Sequence, residues 1–290
     1  MPEQGGRVGA LPHTGLCALR HGGNAPKHAD CVRHGLANHP GAGTRRATRP
    51  PLASRHRKCR LANAQNHLIA LLPRVERERL LAICQPVDLV LAQVLCERGE
   101  PTRHVYFPTI AFISLIAQLD EYPGLEVGMV GREGMVGVHM TLGVSREPLR
   151  AVVQGEGQVL QVSAAPFRAL LLDSPALRRL LQRYTHVLMA QRAASAACLR
   201  FHPISPRLAR WLLMSQDRAH TDEFAVTQEF LAYMLGVRRV GVTMAAGDLQ
   251  RAGLIEYQRG NLKVVDRSGL EAAACSCYAA DQQTYVDGVR

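Results

Sequence analysis

The chain has 290 residues, 47% of them apolar, and a formal net charge of +11. That length predicts about two domains with real cores, and no run approaches the roughly 18 apolar residues of a membrane span. The charge is lopsided: residues 1–60 hold 11 Lys and Arg against Glu3 and Asp30, and residues 61–290 hold 24 against 22 acids. The high isoelectric point therefore belongs to the N-terminal segment and is no argument for nucleic-acid binding further along.

Residues 1–60 are rich in Gly, Pro, Arg and His with no sustained apolar period, which predicts a disordered basic extension. Six of the twelve histidines fall there, unevenly spaced. No apolar h-region opens the chain, so a cytoplasmic protein without a signal peptide is expected. The eight cysteines, Cys17, Cys31, Cys59, Cys84, Cys96, Cys198, Cys275 and Cys277, should then be reduced. No pair has C-x-x-C spacing, so neither a metal site nor a cofactor is expected.

Ordered structure is predicted from Gln65–Leu72. A helix follows Pro73 over Arg74–Cys84, with Val75, Leu80, Leu81 and Ile83 as candidate inner positions. From Pro86 to Gln161 eight short apolar runs alternate with turn segments such as ERGEPT, DEYPG, GREG and QGEG. Regular short strands with Gly/Pro turns predict an antiparallel double-sheet jelly roll. Asp173-Ser174-Pro175 opens a long helix, with Ser174 as N-cap and Pro175 at its first position. Leu177, Leu181, Tyr184, Leu188, Gln191, Ser195 and Cys198 recur at alternating steps of four and three. That is the stripe of a two-stranded coiled coil, so a homodimer seam is expected there; a face packed on the helix's own β-domain gives the same stripe. His202-Pro203 ends this helix, and Ser205-Pro206 opens the next, where Trp211 is expected to pack at a domain junction. Gln216–Glu223 reads as a polar loop.

The most informative stretch is TQEFLAYMLGVRRVGVTMAAGDLQRAGLI, residues 227–255. Thr227 can cap a first helix, whose inner face is Phe230, Leu231, Met234 and Leu235. Gly236 supplies the turn. A second helix restarts near Arg238, with Val242, Ala245, Ala246 and Leu249 inward and Arg238, Arg239, Gly241 and Met244 outward. Two predicted strands, Leu254–Gln258 and Leu262–Asp266, flank the turn Arg259-Gly260-Asn261. A helix-turn-helix followed by a hairpin is a winged helix, whose second helix reads the DNA major groove. Leu270–Tyr285 should be a final helix.

The order β-roll, long helix, winged helix-turn-helix resembles the Crp/Fnr family of bacterial transcription regulators over roughly residues 65–270. The most specific match is the 227–255 stretch; RGEP and GREGMVG also look like the family's β-roll turns. The resemblance implies an α+β chain in parts: a basic extension over 1–60, a cyclic-nucleotide-binding-like sensor β-roll over 65–172, a dimerisation helix over 173–202, a winged helix-turn-helix over 203–272 and a tail over 273–290. It implies a homodimer on a two-fold symmetric double-stranded DNA operator, with RNA polymerase as a further partner and no membrane. Arg239 matches the family's base-contacting arginine and could bond guanine bidentately. Val240 stands where the family has an acid, and Met244 where it has a second arginine, so both are candidates for thymine methyls. Arg238, Thr227, Gln228 and Arg259 are candidate phosphate contacts, with Gly241 and Thr243 on the same helix face. The alternative is a sensing module that acts through a protein partner.

Members that bind cyclic AMP carry a Gly-Glu-Leu turn and then Arg-Ser/Thr-Ala. Here Gly134, Met135 and Val136 occupy the turn, and Glu147-Pro148 falls near the Arg-Ser position, with Arg146 or Arg150 only out of register. Those residues form at most a degenerate ligand pocket, and cyclic nucleotide is not expected to bind. Cys17, Cys31 and Cys59 are too widely spaced for the family's iron–sulfur cluster, and His104 and His139 are better read as roll residues than haem ligands. Cys275 and Cys277 form a C-x-C for which a thiol switch is conceivable. The acid pairs Asp120-Glu121 and Asp222-Glu223 sit in predicted turns, and no G-x-S-x-G, P-loop or H-E-x-x-H motif is present, so no enzyme is expected.

Overall fold

The computed structural model describes residues 65–119 and 122–289. The extension over 1–60, with Cys17, Cys31, Cys59 and six histidines, and the pair Asp120-Glu121 lie outside the described residues.

The ordered chain opens with a single turn, α1 (His67–Ala70), capped by Asn66, whose amide also donates to the carbonyls of Pro108 and Gly134. Helix α2 (Arg74–Leu81) buries Leu80 but leaves Val75 68% and Leu81 43% exposed, so the expected inner face is narrower than the apolar residues suggest. Seven strands follow: β1 (Gln85–Leu89), β2 (Val94–Cys96), β3 (His104–Pro108), β4 (Phe112–Leu119), β5 (Tyr122–Val130), β6 (Arg150–Gly155) and β7 (Gly157–Ser163). They form two antiparallel sheets, ordered β1-β7-β3 and β2-β6-β4-β5, the layered roll that the turn spacing predicts.

The eighth expected strand, MVGVHMTLG, is instead a turn and a 3-10 helix over Val138–Leu142. Gly137 and Gly143 bound it in left-handed helical conformations, at φ 94° and 78°, which turn the chain out of an extended path. The loss of one strand leaves a tight turn, Gly131–Gly137, pressed on the long helix. At Gly134 an added Cβ would collide with the Tyr184 hydroxyl.

Helix α3 (Ala164–Asp173), which the sequence did not suggest, leads directly into α4 (Pro175–Phe201). Ser174 caps α4 by accepting the Leu177 N–H at 3.3 Å, and Glu76 from α2 reaches the same cap. Leu177, Leu181, Tyr184 and Leu188 are all buried against the roll, with Phe107, Met135 and Phe167. The coiled-coil stripe is thus covered by its own chain. A face of α4 that includes Gln182, His186, Met189, Ala193 and Ala196 is exposed instead.

Helix α5 (Ile204–Ala219) begins the C-terminal domain and extends into the expected polar loop. A short strand β8 (Glu223–Ala225) precedes α6 (Gln228–Leu235) and α7 (Arg239–Arg251). Strands β9 (Ile255–Gln258) and β10 (Asn261–Val264) form the hairpin, and β8 pairs on the far side of β10. The single final helix expected over Leu270–Tyr285 is broken into α8 (Arg267–Ala273) and α9 (Cys277–Val289). Helix α9 doubles back along α4: Gln191 donates to the Asp281 carbonyl at 3.2 Å and Gly288 abuts Val187.

One apolar core joins the two halves. Phe112, Ile116, Met129 and Val152 of the roll pack with Leu208, Trp211, Leu212 and Leu235 of the C-terminal domain. Trp211, 4% exposed, sits at this junction and donates its indole N–H to Glu126 of β5 at 3.0 Å.

Candidate nucleic-acid interface

The helix-turn-helix forms as its local chemistry dictates. The Thr227 hydroxyl accepts the Phe230 N–H at 3.1 Å. Gly236 ends α6 at φ 62°, and the Val237 N–H returns to the Ala232 carbonyl at 3.0 Å. Arg238 is the residue before the first turn of α7, with extended backbone and no side-chain cap. Val242, Ala245, Ala246 and Leu249 are all buried, and the small pair lets α7 lie close against α5.

The other face of α7 is open. Arg238, Arg239, Thr243 and Met244 are exposed, Val240 is 62% exposed, and Gly241 is half-buried. Thr243 donates to the Gln228 side chain at 2.7 Å and to the Arg239 carbonyl at 3.1 Å, tying the first turn of α6 to the leading turns of α7. Thr227 and Gln228 therefore stand beside those turns. The helix's free N–H groups and Arg238 and Arg239 make the end of α7 positive, as a phosphate-lined groove requires.

The wing turn is Arg259-Gly260, two residues at φ 49° and 84°, the left-handed pair that matches the twist of a two-residue hairpin. The hairpin is tied to the start of α6 by Tyr257, whose hydroxyl donates to the Val226 carbonyl at 2.8 Å. Arg259 is exposed at the tip. All nine candidate DNA contacts thus lie on α7, on the start of α6 beside it, or on the wing.

The candidate ligand residues are not gathered in this way. Met135 and Val136 are buried at 0% and 4%, and Val136 bridges to Tyr106 of β3. Gly134 faces Tyr184 of α4. Glu147, 5% exposed, lies beside Thr102, Cys96 and His139, and burial raises its pKa. Arg150 pairs with Glu97 at 3.2 Å and meets the Tyr233 hydroxyl of α6. His139 accepts or shares a proton with Thr102 Oγ1 at 2.8 Å, an ordinary roll contact, and His104 stacks at the edge of Tyr106.

A constellation the sequence did not offer also appears. Cys198 and His202, at the end of α4, meet Cys275 and Cys277, just before and at the start of α9, with all four ligand atoms within 4.8 Å of one another. Spacing did not place these cysteines together; the structure does. The signals were a Cys and a His four apart on one helix and a C-x-C, separated by too much chain for spacing alone to connect them.

A family model described as a Crp-like helix-turn-helix domain matches residues 206–273. No curated protein matches the chain in sequence. Among solved structures, the chain is similar to FixK2 from Bradyrhizobium japonicum at 14% identity and TM-score 0.56, over 67% of this chain and 98% of that one. The c-di-GMP responsive global regulator CLP of Xanthomonas campestris matches at 18% identity and TM-score 0.55, over 66% and 99%. A CRP/FNR family transcriptional regulator from Thermus thermophilus matches at 22% identity and TM-score 0.54, over 66% and 99%. Residues 206–273 thus form a Crp-like helix-turn-helix domain, and the described chain has the fold of these Crp/Fnr-type proteins.

Proposed function

We propose that the protein acts as a cytoplasmic homodimer that reads a two-fold symmetric operator with a pair of α7 helices. The observation that carries this is the division of α7 into a buried apolar face and an open face led by Arg238 and Arg239. Arg239 reads a base edge, Val240 and Met244 lie against thymine methyls, and Arg238, Thr227, Gln228 and Arg259 hold phosphates. The dimer seam is the outer face of α4, where Gln182, His186, Met189, Ala193 and Ala196 are exposed at alternating steps of three and four. The β-roll senses the signal, and contact with RNA polymerase turns operator binding into regulation.

Selection of bound duplexes from a random pool tests the reading. The expected product is an inverted repeat with half-sites about one helical turn apart. Enrichment of single, unpaired sites would remove the dimer. Absence of any enrichment, with capture of a protein partner instead, would replace DNA reading by the alternative mode.

A further inference from the structure

The Cys198, His202, Cys275 and Cys277 group is independent of the DNA reading. Cys198 Sγ lies 3.6 Å from Cys275 Sγ and 3.4 Å from His202 Nδ1, and Nδ1 lies 3.5 Å from Cys277 Sγ. Bond lengths of about 2.3 Å to sulfur and 2.05 Å to nitrogen around one tetrahedral centre put neighbouring ligand atoms about 3.8 Å (S to S) and 3.6 Å (S to N) apart. The three short separations match edges of a tetrahedral shell, and all four ligand atoms lie within 4.8 Å of one another. One imidazole nitrogen facing two thiols cannot satisfy both with a single proton, but all four lone pairs can converge on one cation.

The surroundings carry a second, independent mark. Arg207, 9% exposed, makes no carboxylate ion pair among the described residues and donates to the Leu235 carbonyl. A buried guanidinium without a counter-charge is costly. Three thiolates, a neutral imidazole and a divalent cation sum to one negative charge, which Arg207 would balance, Arg210 being already paired with Asp281.

We propose that these four side chains form a Cys3His site for one zinc ion, and that the ion clasps both ends of the DNA-binding domain to the long helix. Cys198 and His202 close α4, and the domain starts at the next residue, Pro203. Cys275 follows the end of α8, its N–H bonded to the Pro206 carbonyl at 3.3 Å, and Cys277 begins α9. The whole winged domain is therefore the loop that the metal closes. All four ligands lie outside the matched residues 206–273. Thiolate-rich tetrahedral donors select zinc over magnesium or calcium. Four ligand atoms within 4.8 Å also favour a single ion over a two-iron cluster, whose ligands are spread across two metals.

The test uses the full untagged chain, purified under reducing conditions and passed over a weak chelator. Elemental analysis should find one zinc per chain. Replacement by cobalt should give thiolate-to-metal charge-transfer bands and the strong visible absorption of tetrahedral Co2+. Both should disappear in Cys275→Ser/Cys277→Ser and persist in Cys17→Ser/Cys31→Ser/Cys59→Ser. His202→Cys, which keeps four ligands, should retain the metal even if the serine variant folds poorly. A metal-free chain, a Cys198–Cys275 disulfide under reducing conditions, iron with acid-labile sulfide, or bands that survive the C-x-C variant would each overturn the proposal.

Discussion

Glu126 places a titratable group in the seam between the two halves. Its carboxylate on β5 accepts the Trp211 indole N–H from α5 and the Ser114 hydroxyl from β4. Burial raises its pKa from 4.5 to about 7, although those hydrogen bonds, Arg218 and Arg210 pull the other way. The folded chain therefore holds this proton more tightly than the unfolded chain. The group's stabilisation is fully present below pH 4.5 and is lost as the pH rises to about 7. A shift of about 2.5 units at 1.36 kcal/mol each is about 3 kcal/mol. Glu126→Gln keeps the shape and the acceptor oxygen but cannot ionise. In urea unfolding, the variant and the parent should match at pH 4.5, and the variant should be more stable by up to about 3 kcal/mol at pH 8. Comparison at each pH cancels the other carboxylates. A stability difference that stays constant from pH 4.5 to 8 would refute the argument that burial, not hydrogen bonding, governs this side chain.

Arg239→Ala should cost about 1–3 kcal/mol of operator affinity and relax preference at one base pair per half-site, read by binding to a panel of operator variants; a uniform loss would move Arg239 to the phosphates. Gly134→Ala should destabilise the chain by about 1–3 kcal/mol, because its Cβ collides with the buried Tyr184 hydroxyl; an unchanged melting temperature would contradict that packing. Calorimetric titration with cyclic AMP and cyclic GMP should show no micromolar binding, since Met135 and Val136 are buried and Arg150 is paired with Glu97. Met189→Glu would place two carboxylates across the proposed seam, so sedimentation should show a monomer and operator affinity should fall; an intact dimer would put the seam elsewhere.

The parts legible in the sequence are those fixed by local chemistry. Thr227, Gly236 and the Arg259-Gly260 turn each do what their residue type dictates within a few positions of chain, so α6, α7 and the wing could be placed from sequence. The α4 stripe shows where this kind of reading stops. Spacing reveals that Leu177, Leu181, Tyr184 and Leu188 face something apolar, but not whether it is a partner or the same chain. MVGVHMTLG has the composition of a strand, and only the left-handed Gly137 and Gly143 exclude one. Strand β8 is three residues long and owes its existence to pairing with β10, a contact with no local signature. The Cys and His cluster depends on α9 folding back on α4, a tertiary event beyond any motif.

The leading turns of α7 are exposed, so under the proposed function a signal would act on where the whole domain points. Three sets of contacts hold that direction. Leu125 of β5 packs on Gly236, where a Cβ would come within 2.6 Å of its side chain, and the Tyr233 hydroxyl lies against Gly124. Trp211 is tied to Glu126, and Arg218 of α5 to Glu133 at 2.7 Å in the turn that touches Tyr184. The last set is the cluster at the end of α4. Helix α7 is fixed to α6 through the Gln228–Thr243 hydrogen bond and a shared core, so α6 and α7 move as one body. A displacement of the β4–β5 hairpin or of the Gly131–Gly137 turn therefore acts first on α6 and α5. In a two-fold assembly, a small rotation there changes the spacing of two recognition helices at once, which is the quantity an inverted repeat measures.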